Sequence, residues 1–136
     1  KQYAEKTFPA KREAFAEVSA FAEEFMETAE IPMREAMQIA VALEELFVNV
    51  AHYAYPDGEG TVKLSILSSG DTVKLRFVDS GIAFDPLAKS DPDITLSAEE
   101  RSIGGLGIFM VKKTMDEVTY NRVNDCNVLT IAKKIR

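Results

Sequence analysis

Cysteine is almost missing from this chain. Cys126 stands alone among 136 residues, so no intrachain disulfide can form and a reducing compartment is the natural setting. Histidine is just as scarce, and His52 with Cys126 makes a poor zinc set. No apolar run approaches the ~20 residues needed to span a bilayer, and no signal peptide opens the sequence. A cytoplasmic location without membrane contact is therefore expected. Basic residues are outnumbered, 16 Lys and Arg against 22 Asp and Glu, for a net charge of -6. That excludes broad nucleic-acid binding, which needs a cationic face to displace counterions from phosphates. It does not exclude a nucleotide, whose phosphates can be held by backbone N–H groups and a metal ion. Repeats, low-complexity tracts and long linkers are absent too. The first residue is Lys1 rather than Met, as in a chain trimmed from a longer one.

What is present is an ordinary globular balance, 46% hydrophobic and 28% charged. The length suits a single domain, residues 1–136, with a core that needs no metal or disulfide staple. Gln2 to Phe8 reads as an edge strand. Phe15, Val18, Phe21, Ala22 and Phe25 recur at helical spacing, and Ile31-Pro32 interrupts that pattern. A second helix is predicted from about Pro32 to Tyr53, with Ile39, Leu43, Leu46, Phe47 and Val50 on its apolar face. Strands follow near Thr61 to Ser68 and Thr72 to Asp79, joined by the turn Ser69-Gly70-Asp71. Ser80 to Ile103 has little apolar periodicity and reads as a lid or binding loop. A helix from about Gly105 to Thr114 and strands at Glu117 to Val123 and Asn127 to Lys134 complete the chain, with Asn124-Asp125 in the last turn. Hairpins at both ends and few βαβ units predict an α+β sandwich, with helices on one face of a mixed, mostly antiparallel sheet.

Three motifs carry chemistry. In Glu44-Glu45-Leu46-Phe47-Val48-Asn49, Glu45 and Asn49 are four apart and share a helix face outside the apolar stripe. An amide oxygen can take one position around Mg²⁺, and a carboxylate one turn away can accept a proton from an attacking hydroxyl. The same pair fits a plain solvated face. In Val78-Asp79-Ser80-Gly81-Ile82-Ala83, the Asp79 carboxylate at a strand end can accept a hydrogen bond from an exocyclic amine such as that of adenine. Gly81 and the small Ala83 would let a flat ring approach the backbone. A simple turn would also use these residues. In Arg101-Ser102-Ile103-Gly104-Gly105-Leu106-Gly107, glycines precede a helix, where N–H groups converge on phosphate and the dipole assists. The spacing matches neither a Walker A loop nor a Rossmann fingerprint.

In this order the motifs resemble the N, G1 and G2 boxes of the GHKL ATPase superfamily. The resemblance runs from about Phe8 to Ile135. Within that superfamily the chain is most similar to the anti-sigma-factor serine/threonine kinases, through Ala42-Leu43-Glu44-Glu45-Leu46 with Asn49, Tyr53-Ala54-Tyr55-Pro56, Arg101 to Ile108, and Met115-Asp116-Glu117-Val118. The resemblance implies a Bergerat-type two-layer α/β sandwich. It implies ATP and Mg²⁺, with Glu45 as general base and Asn49 as the metal ligand. Asp79 would read adenine beside Gly81 and Ala83, and Gly104, Gly105, Leu106 and Gly107 would wrap the phosphates under a lid containing Arg101. The chain departs from relatives in three places: Tyr53 where many have His, Ser102 where many have Pro, and Ala83 for the second glycine of the commoner G1 box. His52 reads as a satisfied helix residue.

Two functions of different class follow. The first is an ATP-dependent protein kinase acting on serine or threonine of an anti-anti-sigma-like partner, which also holds a sigma factor and so regulates transcription. The second is a module in which bound ATP shapes a docking surface with little phosphoryl transfer. A histidine kinase catalytic domain is disfavoured by the missing phosphoacceptor helix pair, and a DNA- or chaperone-coupled ATPase by the missing transducer domain. The resemblance also implies a homodimer pairing through the sheet and first helix.

Overall fold

A computed structural model describes residues 1–56, 58–88 and 105–136, the side chains of Gly105 and Leu106 excepted. The chain runs β1 (Gln2–Pro9), α1 (Phe15–Thr28), α2 (Met33–Tyr53), β2 (Thr61–Ser69), β3 (Thr72–Asp79), α3 (Gly105–Thr114), β4 (Glu117–Val123) and β5 (Cys126–Lys134). Short 3-10 turns at Arg12–Ala14 and Pro86–Ala88 join them. The strands form one sheet in the order β1-β2-β3-β5-β4. Every described pairing is antiparallel, so the sheet goes beyond the mostly antiparallel arrangement expected. The α+β reading stands. Of the expected lid, Ser80 to Ile103, residues 89–103 lie outside the described residues, Arg101 among them, as does Gly104.

Alternation decides which face each strand buries. Val62, Leu64 and Ile66 in β2, Val73, Leu75 and Phe77 in β3, and Leu129 and Ile131 in β5 point to the helices and are at most 3% exposed. The opposite face is covered less, and there Arg76 Nε donates to Thr130 Oγ1 at 3.2 Å. Helix α2 lies over the buried face because Ile39, Leu43, Leu46, Phe47 and Val50 recur at three- and four-residue steps. Each such side chain, fully buried, contributes about 1.5–3 kcal/mol.

Turn chemistry sets the register. Asn124 and Asp125 take φ of 50° and 61° between the paired residues Val123 and Cys126, the two-residue hairpin whose twist suits antiparallel strands. Gly70 takes φ of 62° in the β2–β3 turn. Helix α1 ends in a Schellman motif: Ile31 N–H donates to Met26 O at 3.0 Å and Glu30 N–H to Glu27 O at 3.1 Å. Buried Met26 and Ile31 supply its hydrophobic contact. The left-handed position, usually glycine, is held by Glu30 at φ 54°.

Candidate functional site

The period-two pattern of β3 carries Asp79 onto the core face after Phe77, leaving the residue 5% exposed. Opposite it in register stands Asn127 of β5, 4% exposed. Asp79 Oδ1 accepts from Gly81 N–H and from Asn127 Nδ2, both at 2.9 Å. Asn127 Nδ2 also donates to Ile82 O at 2.8 Å. Its Oδ1 accepts from Phe84 N–H at 3.2 Å and from the Tyr120 hydroxyl. Asn127 therefore uses both ends of its amide to tie the strand end, the loop after it and β4 together. One oxygen of Asp79 is saturated by these donors, which leaves Oδ2 to meet an incoming donor.

The residues after β3 are held just as closely. Gly81 is buried, and a Cβ there would come within 2.1 Å of Ala54 O, so only glycine fits. Ile82 N–H donates to that same carbonyl at 2.9 Å, and Arg122 donates to Gly81 O at 2.9 Å. Tyr55 Oη accepts from Ser80 N–H at 2.9 Å and donates to Thr61 O at 2.7 Å. The glycine's closeness thus serves the end of α2. Phe84 stacks on Tyr53 with ring centres 4.4 Å apart and an 18° tilt.

On α2, Asn49 is 1% exposed, not on a solvated face. Its Nδ2 donates to Glu45 O at 2.8 Å, which fixes the amide and turns Oδ1 the other way. That oxygen is buried with no partner. A buried acceptor left bare costs about 1–3 kcal/mol, so the position suits a ligand that supplies positive charge. Gln38 Oε1 is also buried and bare, but Gln38 lies about 16 Å along the helix axis from Asn49, too far to meet the same ligand. Asn49, Val50, Asp79, Tyr120 and Asn127 line a cleft together with Phe84 and Pro86. Its free volume is about 10 Å³, room for roughly one water. That volume is far too small for a purine ring.

Glu45 occupies the seam between α2 and α3. A Cβ at Gly107 would lie 1.8 Å from Glu45 Oε2, so the glycine makes room for the carboxylate on the first turns of α3. Burial pushes the Glu45 pKa up, and the neighbouring Glu44 charge pushes it further the same way. A carboxyl tuned upward is better suited to receive a proton near neutral pH. Gly107→Ala is expected to leave the fold intact, because alanine favours helix over glycine by about 1 kcal/mol. It should displace the carboxylate and slow any reaction that depends on it. Melting temperature and turnover, measured on the same preparation, check this: a slower reaction at unchanged or higher stability is the expected pair.

The structure brings Asn49 and Asp79 into one cleft and places Glu45 one turn from Asn49, against Gly107. Ala83 is exposed and does not line the cleft. Gly105 and Leu106 form the first turn of α3, while Arg101 and Gly104 fall outside the described residues. His52 is exposed, its ring edge-on to Tyr53. Sequence reasoning missed Asn127, Tyr120 and the Phe84–Tyr53 stack. The signal for Asn127 was there: Asn127, Leu129 and Ile131 alternate, which puts the amide on the apolar face. Among the described residues no helix is long and apolar enough to cross a membrane, and no three His, Cys, Asp or Glu side chains meet to hold a metal.

Known proteins resemble this chain in sequence and in fold. The profile of the histidine kinase-like ATPase domain matches residues 8–133. A serine/threonine-protein kinase BtrW of Bordetella bronchiseptica is 24% identical over 94 residues, covering 68% of this chain and 66% of the relative. A serine-protein kinase RsbW of Listeria monocytogenes is 32% identical over 87 residues, covering 59% of this chain and 54% of the relative. The chain thus spans between half and two thirds of these relatives. Among solved structures, the RsbU and RsbW domains of a Mycobacterium tuberculosis protein superpose with a TM-score of 0.71 at 15% identity, over 99% of this chain and 33% of that one. That likeness concerns the fold.

Proposed function

This chain belongs to the histidine kinase-like ATPase domain family, and on that premise we propose that it is an ATP-dependent protein kinase of the anti-sigma-factor type. The observation that carries the reading is Asn49 Oδ1, a buried acceptor without a partner one turn from a carboxylate of raised pKa. Asn49 would hold the magnesium ion that accompanies ATP, which supplies positive charge to the phosphates. Asp79 Oδ2 would accept the adenine amino group, since Oδ1 is already taken. The backbone of Gly105, Leu106 and Gly107 at the start of α3 would meet the phosphates, with Gly104 and Arg101 completing that loop. A serine or threonine hydroxyl of the protein substrate would attack the terminal phosphorus as its bond to the bridging oxygen breaks. ADP leaves, and Glu45 takes the hydroxyl proton. The kinship with serine kinases supports an anti-anti-sigma-like substrate, a sigma factor as the second partner, and a homodimer in solution.

Calorimetric titration tests the nucleotide half of this reading. Asp79→Ala should weaken ATP by about 1–3 kcal/mol, roughly 5–150-fold, and should weaken GTP less. Equal ATP affinity in the two proteins would remove the adenine assignment. Transfer of labelled phosphate to a serine-bearing partner tests the other half. Binding of Mg-ATP and partner without transfer would make the protein an ATP-shaped docking module instead.

A further inference from the structure

The end of α1 breaks local rules in a way the nucleotide site does not explain. A helix C-terminus carries partial negative charge and favours cations. Here the last turns of α1 hold Glu23, Glu24 and Glu27 and no basic residue. Glu23 and Glu27 are like charges four apart, a repulsive spacing. Glu30 adds another carboxylate in the left-handed position where glycine would be unstrained. Lys11 pairs with Glu59 and Lys63 with Glu5, neither at this end of the molecule.

Glu23, Glu27 and Glu30 rim one groove of about 500 Å³. Its floor is apolar: Met26, Ile31, Met33 and Ala36, where the end of α1 meets the start of α2. Met33 is 74% exposed there, and Met37 and Val41 continue the same stripe of α2 at 63% and 55%. Large apolar side chains at four-residue steps on an unpartnered helix face mark a binding surface, and unbranched methionine adapts its shape to what it meets.

An apolar floor inside an anionic rim specifies its occupant. We propose that this groove docks a basic amphipathic helix of a protein partner, with the partner's apolar side chains on Met26, Ile31 and Met33 and its Lys or Arg side chains on the rim carboxylates. Those cations would offset both the partial negative charge of the helix end and the Glu23–Glu27 repulsion. The groove begins about 18 Å along α2 from Glu45, so a partner anchored there can also reach the reaction site. The docking itself requires no nucleotide, so it is tested apart from the kinase reading.

The test uses the full chain without ATP and two short helical peptides, each with a leucine face. One has lysine flanks and the other glutamate flanks. NMR titration should show saturable binding of the lysine peptide alone, with amide shifts gathered over residues 23–41. Raising the salt should weaken it. Glu23→Lys with Glu27→Lys should weaken it about tenfold or more, and Met33→Ser should do likewise. Glu30→Gly separates recognition from folding: it should raise the melting temperature by about 2–4 °C while weakening the lysine peptide. Failure of the lysine peptide to bind, equal binding of both peptides, or shifts gathered elsewhere would overturn the proposal. So would sedimentation showing that Met33→Ser dissolves a dimer, which would give the face to a second copy.

Discussion

Glu45→Gln should transfer phosphate about 10²–10⁴ times more slowly than the unaltered protein while binding ATP almost as well. The amide keeps the size of the side chain against Gly107 but cannot take the hydroxyl proton. The pH profile carries the same signature. Burial first, and Glu44 second, raise the Glu45 pKa, and only the ionised form accepts a proton. Transfer should therefore climb as pH rises through this elevated value and level off above it. Glu44→Gln removes one of the two causes and should move the climb to lower pH. Stability runs the opposite way. A carboxyl whose pKa is higher in the folded state favours folding when protonated. That contribution is complete below the unfolded value and is lost as pH rises through the folded one. At neutral pH the ionised Glu45 opposes folding, so Glu45→Gln should melt slightly higher, by a margin that solvent screening keeps small. Stopped-flow or labelled-phosphate rates beside thermal melts measure both. Transfer at the original rate would end the assignment of Glu45 as base.

Asn127→Ala should be the most destabilising single change at the cleft, about 3 kcal/mol in denaturant unfolding with an unchanged slope. Four hydrogen bonds end on this side chain. Alanine leaves Ile82 O, Phe84 N–H and the Tyr120 hydroxyl without it and removes one of two donors from Asp79 Oδ1. Asp79 would then be free to turn, so ATP affinity should fall as well, though Asn127 need not touch the nucleotide. Tyr120→Phe removes one contact of the four and should cost about 1 kcal/mol. Equal losses from the two variants would show that the network does not act through Asn127.

Local signals made the elements legible. Alternation in Val73, Leu75 and Phe77, the proline at 32, and the Asn124-Asp125 pair each act over a few residues, and strands and helices fell close to where these placed them. The candidate site was half legible. Glu45 and Asn49 read as a polar pair, yet Asn49 is in the core, where it shares a cleft with Asp79 of β3, Tyr120 of β4 and Asn127 of β5. Its burial depends on packing between segments far apart in the chain. Asn127 reads as the first residue of the last strand with no role of its own; the role appears only when the β3–β5 register sets it across from Asp79. Gly81 reads as room for a ring; the contact with Ala54 that also forbids a side chain there is a tertiary one.

The order of the strands also has a consequence in time. β5 is the last strand in the sequence but lies inside the sheet, between β3 and β4. A ribosome therefore delivers an interior strand of this sheet after both edge strands, β1 and β4. Until residues 126–134 emerge, β3 presents an open backbone edge, and such edges recruit other chains. Over the same interval Asp79 has no Asn127 to orient it. Completing the sheet and completing the cleft are thus one event, and the pairing that closes the exposed edge is the same one that brings Asn127 to Asp79.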